Sequence, residues 1–313
     1  MEDGFEQYNR TIFSLPKTVV LVFGSKGWIG QKVVRLLRQM NQTVSVVCAQ
    51  ARADDKVAVS AEIAACSATH VMSFIGRTHG IYEGETIGTI DYLEKPGKLV
   101  DNIKDNLFAP LILAEICNSI NVHYTYLGTG CIFEYDEEHP CSNETTGFKE
   151  TDKPNFFGSS YSIVKGYTDQ LMQSMFPNSV LNARIRMPIT DEVCSRNFIT
   201  KITSYDRVCS IPNSMTVLND LLPVLIELAL KNHTGTVNLV NPGLITHNEI
   251  LNMYKEIVNP DFEWTNFSVE DQNKILASKR SNNCLDTTNV LVQVPHIKDA
   301  VRTVLTKMKE TSL

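Results

Sequence analysis

Tyr161 and Lys165, in the stretch "YSIVK", stand four residues apart, the spacing that stacks two side chains on one helix face. An ammonium held beside a phenol lowers the phenol's pKa and can also reach a ribose, so the pair is suited to donating a proton. Thr129, in "YLGTGCIFEYD", offers a hydroxyl that would complete a Thr-Tyr-Lys set around a carbonyl oxygen. Cys131 follows two residues later, close to the carbons beside such a carbonyl. A thiol there can serve as acid or base, and a packed cysteine is the plain alternative.

A second group concerns phosphate. Gly24, Gly27 and Gly30 form G-x-x-G-x-x-G between an apolar β-branched run and a helical pattern. The first lets the chain turn, the second admits a pyrophosphate to the backbone amides, and the third allows close helix–strand packing. Trp28 and Ile29, which open the helix, complete this candidate dinucleotide site together with Tyr161 and Lys165. In "CAQARADD", Arg52 precedes the acids Asp54 and Asp55. A guanidinium grips a 2′-phosphate, which favours NADPH, with NADH as the alternative and a solvated arginine as the plain reading.

These residues need elements to carry them. Strands are expected at 19–23, in "TVSVV", at 70–76, in "VHYTYLG" and at 180–188, with helices near 28–40, 56–66, 97–120 and 161–176. Strand and helix alternate throughout, the pattern of an α/β, doubly wound parallel sheet. Beyond Pro188 the alternation loosens into helical stretches at 219–231, 246–258 and 298–309 with turns such as "IPNS" and "NPG". This divides the chain into a dinucleotide-binding domain, 17–188, and a smaller mixed substrate-binding region, 189–313, that partly returns to the sheet.

Composition narrows the classes. The 313 residues are 43% hydrophobic with a net charge of −6, which argues for a globular protein and against nucleic-acid binding. The longest apolar run, "LLPVLIELAL", is too short to span a bilayer, and the N-terminus has no export pattern. Eight cysteines without a C-x-x-C pair read as reduced thiols, so a cytoplasmic location is expected. The seven histidines show no ligand spacing, and no metal is expected.

The glycine spacing resembles that of the short-chain dehydrogenase/reductase superfamily. "TGCIFEYD", "GFKETDKPNFFGSSYSIVK", "RIRMPI", "RNFITKI", "IPNSMTVLNDLLP", "NPGLITHNEIL" and "RSNNCLD" together resemble the UDP-4-keto-6-deoxyglucose 3,5-epimerase/4-reductases, including the C-terminal part of trifunctional UDP-rhamnose synthases, over nearly the whole chain after residue 17. Bacterial dTDP-4-dehydrorhamnose reductases are similar more distantly. The resemblance implies a Rossmann-type fold, a cytoplasmic enzyme and a homodimer. It also implies NADPH reduction of the carbon-4 ketone of UDP-4-keto-6-deoxyglucose after inversion at carbons 3 and 5, giving UDP-L-rhamnose.

By the same resemblance Cys131 and Lys201, the lysine of "RNFITKI", carry epimerisation, and Thr129, Tyr161 and Lys165 carry reduction. Asn106 fits the position from which an asparagine supports the lysine through water. Arg196, Asn197, Arg280 and Asn283 are candidate substrate contacts. Arg77, with Thr78 and His79, lies in a segment that departs from the plant-type pattern, and is a further candidate. A reductase without epimerase activity and a non-catalytic NADPH-sensing subunit are the rival readings. UDP against dTDP preference is left open.

Overall fold

The structure, a computed structural model, describes residues 18–40, 44–141, 146–289 and 293–312. Lys17, the expected start of the first domain, lies outside them. Six strands, β1 (Thr18–Phe23), β2 (Val44–Cys48), β3 (His70–Ser73), β4 (His123–Thr129), β5 (Val180–Ile185) and β6 (Gly235–Asn238), form one sheet in the order β2-β1-β3-β4-β5-β6. Every pairing is parallel. The β-branched and aromatic content of these runs suits a sheet buried on both faces. The last strand comes from beyond Pro188 and closes the edge next to β5.

Helices cover both faces. α1 (Trp28–Gln39) lies on one with a later helix, α6 (Leu218–Leu230), and Val33, Leu37, Leu221 and Leu225 meet Val20 and Val22 of β1. On the other, α2 (Lys56–Cys66), α3 (98–119) and α4 (Ser160–Met175) bury Ile63, Leu113 and Met172 against Leu21 and Tyr124. A third core, with Ile199, Ile250, Val301 and Leu305, joins α5 (Phe198–Ile202), α7 (His247–Ile257) and the C-terminal α9 (Ile297–Ser312), while α8 (Val269–Ile275) buries no residue. Met187 turns the chain out of β5 at φ +39, in the left-handed region, and packs on this third core.

The expected 97–120 helix exists but is not uniform. A π-turn at Lys104–Phe108 interrupts it, and such turns shift the following side chains around the axis. Asn106, within that turn, is buried and accepts from the Arg77 N–H at 3.0 Å while its Nδ2 donates to the Arg77 carbonyl at 2.8 Å and to Asn102 Oδ1 at 2.8 Å. The hairpin Gly80–Tyr82/Glu85–Ile87 and the short 3₁₀ turn Ile90–Glu94 also escaped the sequence reading, because their apolar positions are too few to show a period.

Beneath the β4–β5 edge, the buried Arg184 donates to both oxygens of the buried Asp169, at 2.9 and 2.7 Å, and Asn182 Nδ2 adds a third bond at 2.7 Å. The guanidinium also lies 5.0 Å from the Phe133 ring centroid. Removing one partner of a buried pair strands the other charge, so Arg184→Ala is expected to cost about 3–5 kcal/mol in urea unfolding. A loss below about 1 kcal/mol would show that water reaches Asp169.

At the opposite end of the sheet His70 and His123 are buried with ring centroids 5.4 Å apart. His123 Nε2 donates to the His233 carbonyl at 2.7 Å, leaving Nδ1 unprotonated and without a partner. Burial lowers both pKa values, and His123 adds to the effect on His70. The unfolded chain therefore binds protons that the fold refuses. Stability is full above about pH 6.5 and is lost as pH falls through the lower folded values, at up to ~1.4 kcal/mol per pH unit for each histidine. Thermal melts at pH 7 and 5 should show this acid slope, and His70→Phe/His123→Gln should flatten it.

Candidate active site

The glycine turn follows directly from β1. Gly24 sits at φ +72, and a Cβ there would lie 2.9 Å from the Phe74 carbonyl carbon of the β3 exit. A Cβ on Gly30 would lie 2.2 Å from Gly24 O, so only glycine lets α1 approach the turn. Gly27 caps α1 without any side-chain hydrogen bond, so the first N–H groups of the helix keep their capacity for an anion. A cleft of ≈ 390 Å³ opens here at the C-terminal ends of the strands, lined by Gly24, Gly27, Ala49, Arg52, Phe74 and Arg77 among others. These features fit a dinucleotide with its pyrophosphate at the turn.

Trp28 and Ile29 pack against the sheet core instead of lining that cleft. Arg52 lines it, but its side chain is 70% exposed and bound to Asp54 at 3.0 Å, and Lys104 holds the same carboxylate at 2.7 Å. Lys104 first, then Arg52, keep the Asp54 carboxyl below the usual range.

The reactive side chains converge at the end of β4. The Cys131 N–H donates to Thr129 Oγ1 at 3.1 Å, which leaves the threonine proton available to another acceptor. Tyr161, on the first turn of α4, has its hydroxyl in hydrogen-bonding range of Thr129. Burial, then the neighbouring Cys131, push the Tyr161 phenol up, and Thr129 opposes them. Lys165, one turn on, is buried. Its ammonium donates to the Tyr126 hydroxyl at 2.5 Å and to the Leu127 carbonyl at 3.2 Å, 4.4 Å from the Tyr126 ring centroid. Burial lowers its pKa to about 7, with Asp169 and Cys131 opposing.

Tyr126 was not anticipated as a partner of the lysine. The only signal was its position on a buried strand three residues before Thr129.

The turn that presents Cys131 is clamped from far away in sequence. Arg186 Nη1 donates to the Gly130 carbonyl at 3.0 Å, and Asn283 Nδ2 donates to Gly130 O at 2.9 Å and Phe133 O at 2.8 Å. Arg186 is fully buried, and its remaining hydrogen bonds also go to neutral acceptors on Asn213, Ser214 and Ser281. Burial lowers its pKa first, with Cys131, Tyr135 and Cys284 opposing.

Several expected substrate contacts are therefore spent on the fold. Asn283 holds the turn, and Asn197 caps α5 while both Thr190 N–H and C=O bond its side chain. Asn106 pins the Arg77 backbone, and its own carbonyl accepts from Thr168 at 2.7 Å. Each is buried because each satisfies backbone groups that would otherwise lack partners. Arg280 pairs with Asp91, which also accepts from Ser278, tying the 3₁₀ turn to the C-terminal lobe. Arg77 pairs with Asp105 at 2.7 Å.

Arg196 and Lys201 retain more of their charge. Arg196 contacts the ring of His79, which lines the cleft. Burial, then Arg196, Arg77 and Lys201, push His79 down to about 4, so it is neutral at pH 7. Lys201, on α5, reaches the Gly88 carbonyl at 3.5 Å, and burial followed by Arg196 and Arg280 lowers its pKa. Cys131 and Lys201 thus belong to different structural units, the sheet edge and the C-terminal lobe. Among the described residues, no His, Cys, Asp and Glu groups are placed to hold a metal, and no helix is long and apolar enough to cross a membrane.

A doubly wound parallel sheet with a glycine turn after β1 and a Tyr-x-x-x-Lys helix beside the β4 end defines a nucleotide-dependent enzyme of the Rossmann type. Residues 20–192, more than half the chain, match the NAD dependent epimerase/dehydratase family, and the chain belongs to it. A UDP-rhamnose synthase from Acanthamoeba polyphaga mimivirus has a crystal structure that superposes with a TM-score of 0.87 at 54% identity, covering 93% of this chain and 100% of that one. The bifunctional dTDP-4-dehydrorhamnose 3,5-epimerase/dTDP-4-dehydrorhamnose reductase of Arabidopsis thaliana is 39% identical over 278 residues, 88% of each chain. A trifunctional UDP-glucose 4,6-dehydratase/UDP-4-keto-6-deoxy-D-glucose 3,5-epimerase/UDP-4-keto-L-rhamnose-reductase of the same plant is 40% identical over 88% of this chain but 40% of its own length.

Proposed function

We propose that this chain inverts carbons 3 and 5 of UDP-4-keto-6-deoxy-D-glucose and then reduces carbon 4 with NADPH, giving UDP-L-rhamnose. The observation that carries the proposal is the meeting of Thr129, Cys131, Tyr161 and Lys165 at one sheet edge beside the dinucleotide cleft. The relatives named above, whose titles describe rhamnose synthesis, support the same substrate class. Arg196 and Lys201 supply positive charge on the side of the cleft where a diphosphate sugar enters. The division into a dinucleotide-binding unit, 17–188, and a substrate-binding region, 189–313, belongs to this proposal.

Protons on carbons 3 and 5 are acidic because both carbons flank the ketone. Inversion takes a proton from one face and returns one to the other, which calls for two groups, and Cys131 and Lys201 come from opposite walls. The enediolate formed at each step gathers negative charge on the carbon-4 oxygen, where the Thr129 and Tyr161 hydroxyls donate hydrogen bonds. The reduced nicotinamide, when bound, supplies hydride to carbon 4. Tyr161 then delivers its proton to the oxygen, and Lys165 sustains that transfer through its charge.

Proton NMR in deuterated water tests the proposal. Deuterium at carbons 3 and 5, with a rhamnose product once NADPH is added, is the expected result. An unchanged keto sugar would defeat it. The homodimer implied by the superfamily resemblance would use α3 and α4, which expose Leu99, Val100, Ile103, Phe108 and Tyr167. Light scattering should give twice the chain mass, falling to one chain mass for Val100→Glu/Phe108→Glu.

A further inference from the structure

On the far side of the Gly24–Gly27 turn lies a second cavity, of ≈ 580 Å³, lined by Ser25, Lys26, Arg35, Arg38 and Cys48 among others. It shares its walls with the dinucleotide cleft, because Ser25 and Lys26 sit between Gly24 and Gly27, and Cys48 ends β2 just before Ala49. Three cations line it and no acid does. Arg35 is partly neutralised by Glu192 at 3.6 Å, whose other oxygen takes Lys32 at 2.5 Å. Lys26 and Arg38 have no carboxylate partner among the described residues, and Arg38 Nη2 reaches up along α1 to the Cys48 sulfur at 3.9 Å.

The acids nearby are committed elsewhere. Glu62 accepts the N–H groups of Gln50 and Ala51, both at 2.8 Å, and Asp54 holds Arg52 and Lys104. The end of β2 thus offers no free carboxylate to a ribose 2′-hydroxyl, and Arg52 already has a counter-charge. An anion placed here gains two uncompensated cations and displaces no ion pair.

We propose that Lys26 and Arg38, and not Arg52, form the site for a phosphomonoester dianion, the 2′-phosphate of NADPH. This rests on the NADPH reading above and assigns the residues that would discriminate the two nicotinamide cofactors.

Calorimetric titration of the full chain with NADPH, NADH, 2′,5′-ADP, 5′-AMP and inorganic phosphate tests it. Arg38→Met and Lys26→Ala are expected to raise the Kd of NADPH and of 2′,5′-ADP at least tenfold, leaving those of NADH and 5′-AMP within about twofold. That unchanged NADH affinity also reports an intact fold. Arg52→Ala is expected to change every Kd by less than about twofold. Loss of NADPH affinity in Arg52→Ala with none in Arg38→Met would overturn the assignment while sparing the NADPH reading. Wild-type protein binding NADH as tightly as NADPH would end both. Arg38-dependent binding of inorganic phosphate without discrimination between the cofactors would mark a free-anion site and also overturn it.

Discussion

Alanine at Cys131 is expected to lower deuterium exchange into carbons 3 and 5 by ~10²–10⁴-fold, the usual worth of a positioned acid or base. NADPH affinity should stay within about twofold. The reasoning is local, because the Cys131 backbone, not its thiol, makes the 3.1 Å bond to Thr129, so alanine keeps the turn and removes only the proton carrier. Reduction of a keto sugar already inverted at both centres should therefore survive. Exchange at the wild-type rate would return Cys131 to a packing role and leave a simple reductase.

The second large effect falls on the other half of the reaction. Tyr161→Phe should lower carbon-4 reduction by ~10²–10⁴-fold while keeping NADPH affinity and most of the fold, since the ring is retained. Exchange at carbons 3 and 5 should persist at a reduced rate, because Thr129 still faces the carbonyl oxygen. The two variants then fail in complementary ways, and mixing them should not restore a single-site product. Unimpaired reduction by the phenylalanine variant would remove Tyr161 from proton donation.

Much of this architecture could be read from the chain. The β-branched runs and glycine turn announced a parallel sheet, and every main-sheet strand before Pro188 and the long helices fall near their expected bounds. What escaped reading depends on contacts distant in sequence. Nothing local in "HYTYLGT" says that Tyr126 receives the lysine of a helix that begins at Ser160. Asn106, Asn197 and Asn283 looked like ligand contacts because polar residues in family-specific motifs suggest recognition. Their amides instead satisfy buried backbone groups, a demand that appears only once the chain is folded. Arg52 misled for the opposite reason, since its neighbour Asp54 was visible but the ion pair between them was not weighed.

The clamp on Gly130 has a bearing on how the protein is made. A chain emerging N-terminus first can pair β1 to β5 and close the glycine turn while Asn283 is still unsynthesised. The newborn protein thus passes through a stage with its nucleotide-binding elements present and its thiol-bearing turn unfastened. Chemical competence arrives last, supplied by a single amide thirty residues from the end.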